Sequence, residues 1–137
     1  MSVLPICETK IMKLAVKYST LFGEVLRSKR KCSPFRGDQI RLSHHMGVTG
    51  STVSRWETGE VTPRVDQFAK ISQILGFKPS NFYEQMGEVS HRLQEKGVQV
   101  IFSEEDDINF LLSVGEEDGY VLLSGKALRE MLKNWVD

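Results

Sequence analysis

The sequence predicts a mainly α chain. Five short helices fill the first two thirds, and a small α+β unit of about three short strands and one helix follows. Three observations carry this reading. Apolar residues recur every three or four positions from Ile11 to Arg30 and again from Val65 to Leu75, the period of a helix face. Helix punctuation is frequent, with Asp38 and Thr49 at starts, Gly47, Gly59 and Gly76 at stops, and Pro79 at a favoured first helical position. After Gly97 the pattern changes to short β-rich segments.

Each element is read in order. Met1 to Lys10 has little pattern and reads as an irregular arm. From Ile11 to Arg30 the residues Ile11, Leu14, Ala15, Tyr18, Leu21, Phe22, Val25 and Leu26 share helical spacing, as one long helix or as two with a fresh cap at Ser19 or Thr20. Lys31 to Gly37 is a loop containing Ser33, Pro34 and Gly37. Helices are expected at Gln39–Met46, at Gly50–Glu57, at Val65–Leu75 with Val65, Phe68, Ala69, Ser72 and Leu75 on one face, and from Pro79 to Glu95. Strands are expected at Val98–Phe102, Ile108–Val114 and Tyr120–Leu123, the last two joined by a hairpin loop at Glu116–Gly119. A closing helix, Lys126–Trp135, puts Leu128, Met131, Leu132 and Trp135 on one side. The implied organisation is an arm running into the start of a helix over 1–17, a helical domain over 18–86, and a helix extension with the small α+β unit over 87–137.

Composition bounds the class. Of the 137 residues, 40% are apolar and 26% charged, which excludes a disordered chain. No apolar run approaches the ~18 residues that span a bilayer, and the first residues lack a basic-then-apolar leader pattern, so a cytoplasmic protein is expected. Cys7 and Cys32 form no metal or redox spacing and read as free thiols. Net charge is zero, but 18–86 carries +4 and 87–137 carries −6. A basic front and an acidic rear suit a polyanionic partner at the front alone.

The most informative stretch is Gln39 to Trp56. Two short helices are joined by a turn at Gly47, where glycine permits the positive φ of a sharp reversal. Small Ser43 lets the second helix approach the first, and Val48 and Val53 fill the corner, fixing a crossing of roughly 90–120°. With Val53 and Trp56 turned inward, Gly50, Ser51, Ser54 and Arg55 face out, with Thr58 beyond. Such a slim polar face enters a major groove about 12 Å wide. There Arg55 can reach guanine O6/N7 with two hydrogen bonds, and Ser51 and Ser54 can reach base edges or phosphate.

These residues, Gln39-Ile40-Arg41-Leu42-Ser43-His44-His45-Met46-Gly47-Val48-Thr49-Gly50-Ser51-Thr52-Val53-Ser54-Arg55-Trp56-Glu57, resemble the helix-turn-helix of the lambda-repressor-like family of Cro, phage-repressor and xenobiotic-response-element proteins. The flanks resemble it too: Phe22 to Arg30 the first helix, Phe68 to Gly76 the fourth, and Phe77 to Tyr83 the start of the fifth. The resemblance covers about Leu21 to Tyr83. It implies a five-helix domain that binds DNA, with Gly50, Ser51, Ser54 and Arg55 at the base-reading face. Gln39, Thr49, Thr52 and Arg64 are implied as phosphate contacts, with Arg36 and Arg41 near the backbone track. Glu57 with Arg30 matches the family's internal ion pair. Two departures stand out: the Lys31–Asp38 loop is about two residues longer, and Ser43 replaces the commoner alanine.

The resemblance further implies a bacterial or phage transcriptional regulator, a repressor that binds a palindromic double-stranded operator as a homodimer and needs no cofactor. One helix reads only a few base pairs, whereas two copies reach half-sites about 10 base pairs apart. The acidic segment Val98–Asp137 is marginal alone, below the ~40 residues that usually fold unaided. It is therefore expected to be completed by a second copy, through strand pairing or the long helix from Pro79. The alternatives are that it folds back on its own N-terminal domain, or that it binds a protein partner, as in an antitoxin that neutralises a toxin. No metal site is expected: adjacent His44 and His45 point about 100° apart on a helix, and Glu104–Asp107 lacks calcium-loop spacing. No catalytic constellation stands out, so an enzyme is not expected.

Overall fold

The computed structural model describes residues 13–33, 38–102 and 120–133. Among the described residues nine elements follow in order: strand β1 (Lys13–Lys17), helices α1 (Tyr18–Cys32), α2 (Gln39–Met46), α3 (Gly50–Thr58), α4 (Val65–Leu75) and α5 (Pro79–Glu95), strands β2 (Val98–Ile101) and β3 (Tyr120–Leu122), and helix α6 (Gly125–Lys133). The arm with Cys7, the loop residue Arg36, the acidic run Glu104–Asp107, the strand expected at Ile108–Val114, the hairpin loop and Trp135 all lie outside the described residues.

The helices follow their punctuation. Asp38 caps α2, its Oδ1 accepting from the Arg41 N–H at 3.1 Å, and Thr49 caps α3. Gly47, Gly59 and Gly76 end α2, α3 and α4 with φ of 70°, 84° and 77°. Pro79 opens α5. No described helix is long and apolar enough to cross a membrane.

One expectation is corrected at the front of the chain. Lys13–Lys17, read as an arm entering a helix, is a strand, and the helix begins only at Tyr18. The strand is central, so both faces are covered: Ala15 and Val16 are fully buried and Leu14 is half-buried. A strand buried on both sides shows a continuous apolar run instead of alternation, and Leu14, Ala15 and Val16 fit a helical period by coincidence.

The three strands form a parallel sheet in the order β2-β1-β3. Leu14 stands opposite Val98 and Val16 opposite Val100. On the other side Leu14 stands opposite Val121 and Ala15 opposite Leu122. Parallel neighbours need a long crossover, and the whole helical region from α1 to α5 is the connection between β1 and β2. The rear unit therefore folds back on its own chain: among the described residues, β1 supplies the strand partner that a second copy was expected to provide. α6 completes the packing against α1, with Leu128 fully buried.

A single main core joins these parts. Val16, Val98 and Val100 of the sheet belong to the same buried cluster as Leu21, Leu26, Leu42, Val53, Trp56, Ile71, Leu93 and Leu128. At its centre Phe82 lies 4.8 Å from both Phe22 and Phe68, ring centre to ring centre, at tilted and edge-on angles. Such pairs add about 0.5–1.5 kcal/mol each beyond their buried area. The face of α4 differs from expectation. Val65 is 88% exposed and Ala69 is exposed, while Phe68, Ile71, Ser72 and Leu75 are buried. Val65, at the first position of the helix, stands beyond the edge of the core.

Glu24 of α1 is a buried carboxylate on the seam with α6. Arg129 Nε approaches its Oε1 to 2.7 Å, and Arg27 lies 3.8 Å away. Burial pushes the Glu24 carboxyl above its ordinary value of 4.5, against the downward pull of Arg129 and Arg27. A raised folded-state pKa means that the fold favours the neutral acid. That contribution is complete below the unfolded value and is lost as pH rises through the folded one. Glu24→Gln is therefore expected to gain on the wild type as pH goes from about 4 to about 7, read as the difference between their melting temperatures. A constant difference across that range would remove Glu24 from the pH dependence of folding.

Candidate nucleic-acid interface

The turn between α2 and α3 is built as the sequence requires. Gly47, left-handed at φ 70°, donates its N–H to the His44 carbonyl at 3.2 Å, and Val48 donates to the Ser43 carbonyl at 3.0 Å. This pair of bonds satisfies the last carbonyls of α2 and aims the chain into α3. Ser43 is buried, and its hydroxyl is turned back onto its own helix, donating to the Ile40 carbonyl at 2.6 Å. Thr49 Oγ1 accepts from the Thr52 N–H at 3.2 Å and shares hydroxyl contacts with Ser51 at 3.0 Å and Thr52 at 2.8 Å.

Three devices fix α3 on the body. Val53 is fully buried and Trp56 is 2% exposed, so the inner face is anchored by bulk. The second device is Gly23 of α1. A Cβ there would stand 2.5 Å from the main-chain oxygens of both Trp56 and Glu57. Only a glycine permits the two helices to approach so closely. Gly59 plays the same part at the other end: its φ is 84°, and a Cβ would come within 2.6 Å of the Thr20 main chain. The third device is polar. Arg30 grips the buried carboxylate of Glu57 with two hydrogen bonds, Nε to Oε2 and Nη2 to Oε1, the latter 2.7 Å long. Gln39 at the start of α2 donates Nε2 to the same Glu57 Oε1 at 3.0 Å. One carboxylate thus joins α1, α2 and α3.

The outer face of α3 is what remains. Ser51, Arg55 and Thr58 are exposed, and Gly50, Thr52 and Ser54 are half-buried. Space above Gly50 is open, since the first atom a side chain there would meet is Ile40 Cγ1 at 3.9 Å. Arg55 is 61% exposed and loosely paired with Glu60, its Nε 3.8 Å from the carboxylate. An exposed pair of that length holds the guanidinium weakly and leaves it available to another partner. The base-reading candidates Gly50, Ser51, Ser54 and Arg55 therefore lie together on one helix, opposite Val53, Trp56 and Glu57.

The phosphate-contact candidates surround this face less uniformly. Thr49 and Thr52 stand at the start of α3, where main-chain N–H groups and the helix dipole favour an anion. Arg41 and Arg64 are exposed. Arg64 Nε lies 3.2 Å from Asp66, whose carboxyl is held below its ordinary range by that hydrogen bond. Gln39 is half-buried with its amide nitrogen committed to Glu57, which leaves the carbonyl oxygen and the remaining N–H for other partners. His44 and His45 are exposed, and the described residues contain no group of side chains able to hold a metal ion.

Two contributors to this arrangement escape a reading of the sequence. Gly23 sits inside α1 with ordinary helical φ, so nothing local marks it except the roughly 1 kcal/mol that a mid-helix glycine costs. Ile40 was read only as part of a helix, yet it is 63% exposed beside Gly50.

Residues 26–82 match the model of a helix-turn-helix family of the Cro/C1, lambda-repressor-like type. No curated protein and no solved structure matches the chain.

The locking devices have measurable cost. Glu57→Ala strands a buried guanidinium and is expected to destabilise the fold by about 3–5 kcal/mol, whereas Arg30→Met with Glu57→Leu should cost markedly less. Gly23→Ala forces main chain apart and is expected to lose about 1–3 kcal/mol. Denaturant unfolding of the three variants checks both. A Gly23→Ala protein as stable as the parent would show that α1 and α3 do not need this approach.

Proposed function

Taking residues 26–82 as a DNA-binding helix-turn-helix domain, we propose that the protein is a sequence-specific transcriptional regulator that represses by occupying a palindromic operator as a homodimer. The observation that carries the reading is the two-sided character of α3. Its inner side is fixed by Val53, Trp56 and Glu57, and its outer side offers Gly50, Ser51, Ser54 and Arg55 to solvent. A rigidly held slim polar face is what a major groove admits. In this reading Arg55 takes a guanine edge and Ser51 and Ser54 take neighbouring bases or phosphate. Thr49, Thr52, Gln39, Arg41 and Arg64 set the register on the sugar-phosphate backbone, with Arg36 assigned the same duty from the sequence alone. The +4 charge of residues 18–86 supplies the sequence-independent part of the attraction.

Dimerisation follows from the short reach of one helix, and the rear unit is the surface we assign to the second copy. Among the described residues its exposed large apolar side chains are Phe102, Val121 and Leu122. The acidic balance of 87–137 keeps that surface away from DNA. The site of action is the cytoplasm, with the chromosome. No cofactor enters this mechanism.

Selection of bound fragments from random duplexes tests the reading, since a palindrome with half-sites about 10 base pairs apart is expected. On that site Arg55→Ala is expected to cost about 1–3 kcal/mol and to relax preference at one base pair per half-site. Gln39→Ala and Arg64→Ala should weaken all sequences alike. Equal loss on specific and random DNA in Arg55→Ala would remove it as a base reader, and failure to enrich any sequence would overturn the proposal.

A further inference from the structure

Ile40 is the second residue of α2, and 63% of it is exposed. A single exposed apolar residue is ordinary on any protein surface. Its place sets this one apart. Its Cγ1 is the first atom that a side chain at Gly50 would meet, 3.9 Å from where that Cβ would be. Ile40 therefore stands at the opening turn of α3, beside the one base-reading candidate that has no side chain. Gly50 leaves an open floor, and Ile40 makes an apolar wall next to it. The Ile40 backbone is held in place, because its carbonyl accepts from the buried Ser43 hydroxyl at 2.6 Å. The side chain is β-branched and restricted at χ1, so the wall is stiff.

The chemistry facing such a notch is narrow. Base pairs present hydrogen-bond donors and acceptors in the major groove, and their one alkyl group there is the C5-methyl of thymine. Residues near the start of a recognition helix are those that meet base edges. We propose that Ile40 and Gly50 together form a thymine-methyl pocket, so that specificity comes from α2 as well as α3. This inference rests on the reading of α3 as a major-groove helix. It adds a second reader, apolar and independent of Arg55. Gly50 then has a positive role, since the missing side chain is what admits the methyl group.

Deoxyuridine differs from thymidine only by that methyl. The test uses the full chain and the selected operator, with each thymine replaced in turn by uracil in both half-sites. For the parent protein, one position per half-site is expected to weaken binding by about three- to fivefold, the worth of one buried methyl-sized group. Ile40→Ser should bind the thymine operator more weakly by a similar factor and lose nothing further on the uracil operator. Ile40→Val should retain most of the thymine preference. Ile40 is exposed, so these variants should melt with the parent, and a melt confirms it. Parent binding indifferent to every replacement would overturn the pocket. So would an Ile40→Ser protein that still loses the full factor on uracil. If Arg55→Ala meanwhile shows its loss at one base pair, the major-groove reading stands and the pocket alone falls. If no duplex is bound selectively, both fall.

Discussion

The structure depends on one buried carboxylate. Glu57 is a residue of α3 that faces inward, and it is gripped by Arg30 from α1 and touched by Gln39 from α2. Burial of such a pair is a poor source of stability, because both charges give up water. One Arg30 nitrogen, Nη1, is even buried without a hydrogen-bond partner. What the pair supplies is geometry. Its planar two-bond fit is directional, and directional contacts set the rotation of α3 about its own axis. That rotation decides which residues face out. The close approach at Gly23 sets the distance, and the Gly47 turn sets the angle.

These constraints make α1 the common frame. It carries Gly23 and Arg30 toward α3, Phe22 toward α4 and α5, and Glu24 toward α6. It also continues directly from the central strand of the sheet. The rear unit and the helix-turn-helix unit are therefore built on one helix and share one core. A change at the Glu24–Arg129 seam bears on the same helix that holds α3.

Much of this was legible in the residues. The turn, the caps at Asp38 and Thr49, the glycine stops and the inward Val53 and Trp56 are local consequences of side-chain chemistry, so they read correctly from sequence. The Arg30–Glu57 pair came from resemblance to a family and is present. What could not be read was long-range. β1 looked helical because a strand covered on both faces loses its alternation. Gly23 gave no sign because its constraint is a neighbouring backbone far along the chain. The rear strands looked unpartnered because their partner precedes the helices. Val65 was misplaced because spacing reveals a stripe but not where the core stops beneath it. Ile40 looked like any apolar helix residue until Gly50 was found beside it.

The parallel sheet has a consequence for how the chain matures on the ribosome. β1 emerges before the helices, yet both of its neighbours, β2 and β3, are made only after the helical region has been completed. Until then its main-chain edges have no native partner and present a sticky template. Short-range helical contacts form quickly, and pairings distant in sequence form late. The nascent protein must therefore carry an open strand throughout translation of α1 to α5. The exposure of β1 itself is relieved only when the rear segment supplies β2 and β3.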